Sequence, residues 1–171
     1  RGLDGINPLD QSFLEAREAG VTTVLTGPGS ANVIGGRFCA LKTFGNTIEE
    51  MLIKEPAALK AALGENPKRC YNQKKASPMT RMATAALLRE AFYKARAYGE
   101  KKNAAGAGGE APELDMGMEC LLEVLRGELP LKIHCHRADD IQTAIRIAEE
   151  FGISYTLDHC TEGYMMTDVL K

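Results

Sequence analysis

An α/β fold with a parallel sheet is what this 171-residue sequence predicts, on three observations. Short β-branched or apolar stretches alternate with longer helical periods along the chain. The last third, "LKIHCH", "RADDIQTAIRIAEEFG" and "ISYTLDH", reads strand, helix, strand with short joins. Such a βαβ unit makes its two strands parallel neighbours. No internal repeat at a fixed period competes with this alternation.

The elements follow in order. "PLDQSFLEAREAG" places Phe13 and Leu14 on a helical period and stops at Gly20, a natural helix terminator. "VTTVLTG" is short and β-branched, hence a strand. "GPGSANVIGG" reads as a Gly-rich loop leading to a second strand, "RFCALKTFG". "NTIEEMLIKEPAALKAAL" opens with a capping signature at Asn46 or Thr47 and acids in its first turn, so it predicts a helix interrupted or restarted at Pro56. "ENPKRCYNQKKASP" is polar and predicts an extended, mobile loop over 65–77. The clearest helix follows, with Ser77 as cap, Pro78 in the first helical position and Met82, Ala86, Leu87 and Phe92 as its apolar face. A second mobile loop is expected over 103–112, then a helix ending at Gly127. In the βαβ unit, Ile141, Ala144, Ile145, Ala148 and Phe151 share one helix face, and Gly152 ends it.

Composition removes several function classes. With 21 basic and 23 acidic residues interleaved, there is no basic tract for nucleic acid. No apolar run reaches the roughly 18–20 residues of a membrane span, and "RGLDGINPLD" has no signal-peptide core. Five scattered cysteines without a CxxC pair read as reduced thiols, so a cytoplasmic setting is expected. "GPGSANVIGG" lacks the Gly-Lys-Ser/Thr ending of a phosphate-binding loop and runs into a strand, which disfavours nucleotide binding. It suits a turn that shapes a pocket at the ligand edge of the sheet.

The three histidines carry the chemistry. His134 and His136 alternate to the same face of one strand, and His159 ends the next parallel strand. Both strands therefore finish in histidine at the carboxyl edge, where parallel α/β sheets bind ligands. Imidazole is the commonest side chain for zinc and similar ions. Alternation points Asp158 away from His159, and Cys135 towards the helix layer.

"EAREAGVTTVLTGPGSANVIGG", "IHCHRADDIQTAIRIAEEFG" and "LDHCTEGY" resemble the metal-dependent amidohydrolase superfamily, in its imidazolonepropionase-related branch. The resemblance runs from about residue 9 to 164. It implies part of a (β/α)₈ TIM-type barrel, and one incomplete barrel domain over 1–171 with its first and last strands missing. It makes His134 and His159 metal ligands, leaves open whether His134 or His136 is the ligand of its strand, and favours His134. His136 and Arg137 are then substrate contacts, and Lys42 is the candidate for the carboxylated lysine that bridges two metals in many members. The cofactor implied is a divalent metal, zinc first, with iron or manganese as alternatives. The reaction implied is hydrolysis of a non-peptide, possibly cyclic, C–N bond in a small-molecule amide. The family's first-strand His-x-His pair and eighth-strand aspartate are not in this sequence, so the chain is expected to be a fragment inactive alone. Unpaired sheet edges would favour a homo-oligomer. The competing reading is a non-catalytic α/β binding or assembly module with structural histidines.

Overall fold

The computed structural model describes residues 1–106 and 109–171. Its elements are α1 (Gln11–Glu18), β1 (Thr23–Thr26), β2 (Ile34–Lys42), α2 (Ile48–Met51), β3 (Leu52–Ala62), α3 (Glu65–Gln73), α4 (Arg81–Gly106), α5 (Met116–Leu125), β4 (Leu131–Cys135), α6 (Ala138–Phe151), β5 (Tyr155–His159) and α7 (Thr167–Leu170). The strands form one curled five-stranded sheet in sequence order. The expected parallel arrangement holds for β3, β4 and β5. It fails for β1 and β2, because both β1–β2 and β2–β3 pair antiparallel.

The largest departure from the sequence expectation is β3. The helix read over 46–63 is real only for Ile48–Met51, where the Thr47 hydroxyl accepts from the Glu50 N–H. The alanine-rich remainder is a strand, since it fills the slot between β2 and β4. Ala58, Leu59, Ala61 and Ala62 are all buried there, and tertiary packing outweighs alanine's helical propensity. Pro56 lies in an irregular stretch between the Ala40–Lys54 and Phe38–Ala58 pairs, a tolerated place for a residue without an N–H.

Two helices also begin differently from expectation. Part of the loop expected over 65–77 is α3. The long helix starts at Arg81 instead of Pro78, because the Thr80 hydroxyl accepts from the Ala83 N–H. Its buried face is Thr84, Ala85, Leu88, Phe92, Ala95 and Gly99, whereas Met82 is 81% exposed. In the second expected loop, 103–106 belong to α4, and 107 and 108 lie outside the described residues.

The main core lies between the sheet and α4, α5 and α6. Phe92, fully buried, sits with its ring centroid 5.0 Å from that of Phe151, so α4 and α6 are clamped together. Burying a ring of this size contributes about 1.5–3 kcal/mol. The predicted face of α6 is the buried one, and Gly152 ends the helix in the left-handed region at φ 64°. A small cluster of Cys39, Leu41 and Met51 packs with Phe13 and Val24 at the antiparallel end.

Candidate metal centre

His134, His136 and His159 meet at the carboxyl edge of β4 and β5. Their ring centroids are 4.7, 4.7 and 4.8 Å apart, and one ring nitrogen from each falls within 4.8 Å of the others. His134 is buried, while His136 and His159 are exposed.

Strand alternation alone does not produce this cluster. The β4–β5 register pairs His134 with Asp158 and Cys135 with His159, so a regular strand would send His159 to the helix side with Cys135. Instead His159 and Cys160 adopt left-handed conformations, φ 64° and 48°. Two consecutive non-glycine residues in that region are unusual and store strain of the kind found at functional sites. The turn is held by the Cys160 N–H to the Cys135 carbonyl (3.0 Å) and the Glu162 N–H to the His136 carbonyl (2.9 Å). The Glu162 carboxylate in turn accepts from the Ala138 N–H, at the positive end of α6.

The same register puts Asp158 on the face of His134. It accepts from Lys60 Nζ at 2.6 Å and from Lys132 Nζ. Both ammonium groups also lie over the Phe38 ring, at 5.6 and 5.8 Å from its centroid. Burial alone would raise the Asp158 carboxyl, but the hydrogen bonds and charges of Lys132 and Lys60 outweigh it and hold the group below its usual range. Lys132 and Asp158 were legible as alternating neighbours of His134. Lys60 was not, because its strand reads as a helix.

His134 and His136 leave different nitrogens without a side-chain partner. His136 Nδ1 is 2.7 Å from the Thr161 hydroxyl, leaving Nε2 free. His134 Nε2 is 3.0 Å from the Asn66 carboxamide nitrogen, and its Nδ1 is buried without a hydrogen-bond partner. An orphaned, buried imidazole nitrogen beside two more imidazoles fits a divalent ion of the zinc class.

The His134 imidazole is pushed down to about 4, first by burial and then by His136, His159 and Lys60, with Asp158 opposing. It is therefore neutral at pH 7, the form that ligates metal. This depression makes a prediction for the metal-free chain. The unfolded chain takes up the proton near the ordinary value of 6.5, and the folded chain only near 4. The contribution of His134 to stability is thus full above pH 6.5 and is lost as pH falls towards 4. At 1.36 kcal/mol per pH unit the loss is about 3 kcal/mol. Urea midpoints of the chelator-treated chain should fall between pH 7 and 4.5, and His134→Gln should flatten that fall. An unchanged slope in the variant would refute the assignment.

Of the other residues the sequence singles out, Lys42 is not brought to the histidines. Lys42 ends β2, which runs antiparallel to β3: the Leu41–Leu52 pair puts it beside the beginning of β3, at the edge opposite the cluster. Arg137 precedes α6, and its guanidinium is engaged by Asp139 at 2.9–3.0 Å. Cys135 is buried in the main core as expected, and its thiol is pushed up to about 12, chiefly by burial.

No family model matches the sequence. The chain is 27% identical over 192 aligned residues to a protein named amidohydrolase tasK from Hapsidospora irregularis. It is 48% identical to the crystal structure of an amidohydrolase from Thermotoga maritima MSB8, with a TM-score of 0.95 over 98% of this chain. The chain spans 20% of the tasK protein and 44% of the Thermotoga chain. Both relatives are described as amidohydrolases, and this chain is similar to the part of each that it covers.

Proposed function

We propose that this chain supplies the metal-holding strands of a hydrolase acting on a C–N bond of a small-molecule amide. The observation that carries the proposal is the convergence of three imidazoles on one point, one of them with a buried, unpartnered nitrogen. His134 and His159 hold the metal in this reading. His136, no farther from the other rings than they are from each other, is a third ligand rather than only a substrate contact. Held by these imidazoles, a divalent ion would supply Lewis-acid polarisation of the substrate carbonyl and of a bound water.

The chain's own groups prepare the site. Burial and neighbouring positive charge keep His134 neutral. Asp158 is occupied by Lys60 and Lys132, which makes it a structural anchor and not a free general base. The resemblance to the amidohydrolases puts the general base on an aspartate that this chain does not supply, and in this reading the chain alone binds metal without turnover. A cavity of about 350 Å³, lined by Ser30, Ala31, Asn66, Arg69, Cys70 and Gln73, adjoins the cluster through Asn66, and in this reading it admits the substrate. Its first two residues come from the Gly-rich loop, in keeping with a pocket-shaping role. Zinc as the metal, the imidazolonepropionase-related branch, self-association and a cytoplasmic setting belong to the same proposal. The metal-free module with structural histidines is disfavoured, since such a role would leave His134 Nδ1 unsatisfied.

The test is an assay of this chain and of a form extended to a full barrel, against cyclic and linear amides, with and without a chelator. Hydrolysis by the extended form alone, abolished by the chelator, is expected. A metal-loaded extended form that cleaves no C–N bond would overturn the reading.

A further inference from the structure

The approach of Asn66 to His134 has a consequence for metal uptake. Asn66 is the second residue of α3, and the entry into that helix is tightly fixed. The Leu63 N–H donates to the His134 carbonyl at 2.9 Å, tying the end of β3 to β4. Gly64 then turns at φ 76°, where a Cβ would come within 2.5 Å of Asp140 Oδ2, so only glycine fits. Asp140 is itself buried and held by Arg81 at 3.1 Å. The Asn66 carboxamide is thereby delivered 3.0 Å from His134 Nε2.

A neutral imidazole has one N–H and one lone pair. With the carboxamide nitrogen towards the ring, Nε2 accepts, and the proton must sit on Nδ1, which has no partner to receive it. Turning the terminal amide over presents its oxygen instead, a soft rotation about an sp³–sp² bond. Nε2 then carries the proton and donates to Asn66, and Nδ1 becomes a buried lone pair that a metal ion satisfies. Hydrogen bonding at the far nitrogen is what sets the tautomer of a ligating histidine.

We propose that Asn66 is a positioning residue whose carboxamide commits His134 to hold the metal through Nδ1. This rests on the metal reading above. The probes are zinc affinity, measured by competition with a chromophoric chelator, and the His134 tautomer in the metal-free, ¹⁵N-histidine-labelled chain, measured by long-range proton–nitrogen NMR.

Asn66→Asp can only accept, so it should place the proton on Nε2 before metal is added and bind zinc at least as tightly as the wild type. Asn66→Leu should bind zinc about 10–100-fold more weakly with an unchanged circular dichroism spectrum. Equal zinc affinity in the wild type and Asn66→Leu would overturn the proposal, as would an Asn66→Asp chain whose His134 tautomer matches that of Asn66→Leu. If Asn66→Leu does not fold, the comparison of Asn66→Asp with the wild type decides alone. A wild type that binds no zinc would defeat the metal reading, while the tautomer comparison would still decide whether Asn66 governs the ring.

Discussion

Replacing His134 and His159 together by alanine is expected to abolish divalent metal binding, with affinity falling by more than about 100-fold, beyond the loss from removing a supporting hydrogen bond. The cluster has only three imidazoles, and taking two leaves one exposed ring that cannot complete a zinc site. Elemental analysis of the purified chain beside the double variant measures this directly. Cys135→Ala is the matched control, because its sulfur lies next to His134 in sequence yet packs in the core on the other side of the sheet. Near-stoichiometric metal in the wild type and in Cys135→Ala, with none in the double variant, is the expected pattern. Equal losses in Cys135→Ala and in the histidine variant would show that metal content follows folding and not ligation, and would sink the site.

Asp158→Ala should destabilise the chain by about 3 kcal/mol, because it leaves the buried ammonium of Lys60 without a counter-charge. Lys60 is 3% exposed, and its attraction to the Phe38 ring does not replace a carboxylate at 2.6 Å. The contrast is Glu90→Ala, which removes an ion pair to Lys94 whose side chains are 55% and 63% exposed. That loss should be below about 0.5 kcal/mol. Urea unfolding of both variants at pH 7, with metal removed, separates the two cases. An Asp158→Ala chain no less stable than Glu90→Ala would mean that water reaches Lys60 and that the anchor beneath the histidines is not structural.

The βαβ unit was legible because its signals are local and agree with one another. Period two in "LKIHC", period 3.6 through α6 and a terminating glycine all act within a few residues. The strand β3 was not legible. Its alanines favour a helix locally, and only the slot between β2 and β4, which buries both faces of the segment, makes them a strand. That single misreading hid Lys60, and with it the charge partner of Asp158. It also left the direction of β2 undetermined, and with it the edge of the sheet at which Lys42 lies.

By itself the sequence determined the α/β class, the placement of the histidines at the ends of adjacent parallel strands, and the packing role of Cys135. Each follows from periodicity that a backbone must obey. Only the tertiary structure decided that the first two strands run antiparallel, that Asn66 reaches His134 and that His159 joins the other two rings. The last depends on left-handed turns at His159 and Cys160, which oppose the local preference of those residues. Backbone bonds from Cys160 and Glu162 to residues 135 and 136, contributed by a strand and turn more than 20 positions earlier, hold the turn in place. A conformation imposed from that distance leaves no pattern in its own segment.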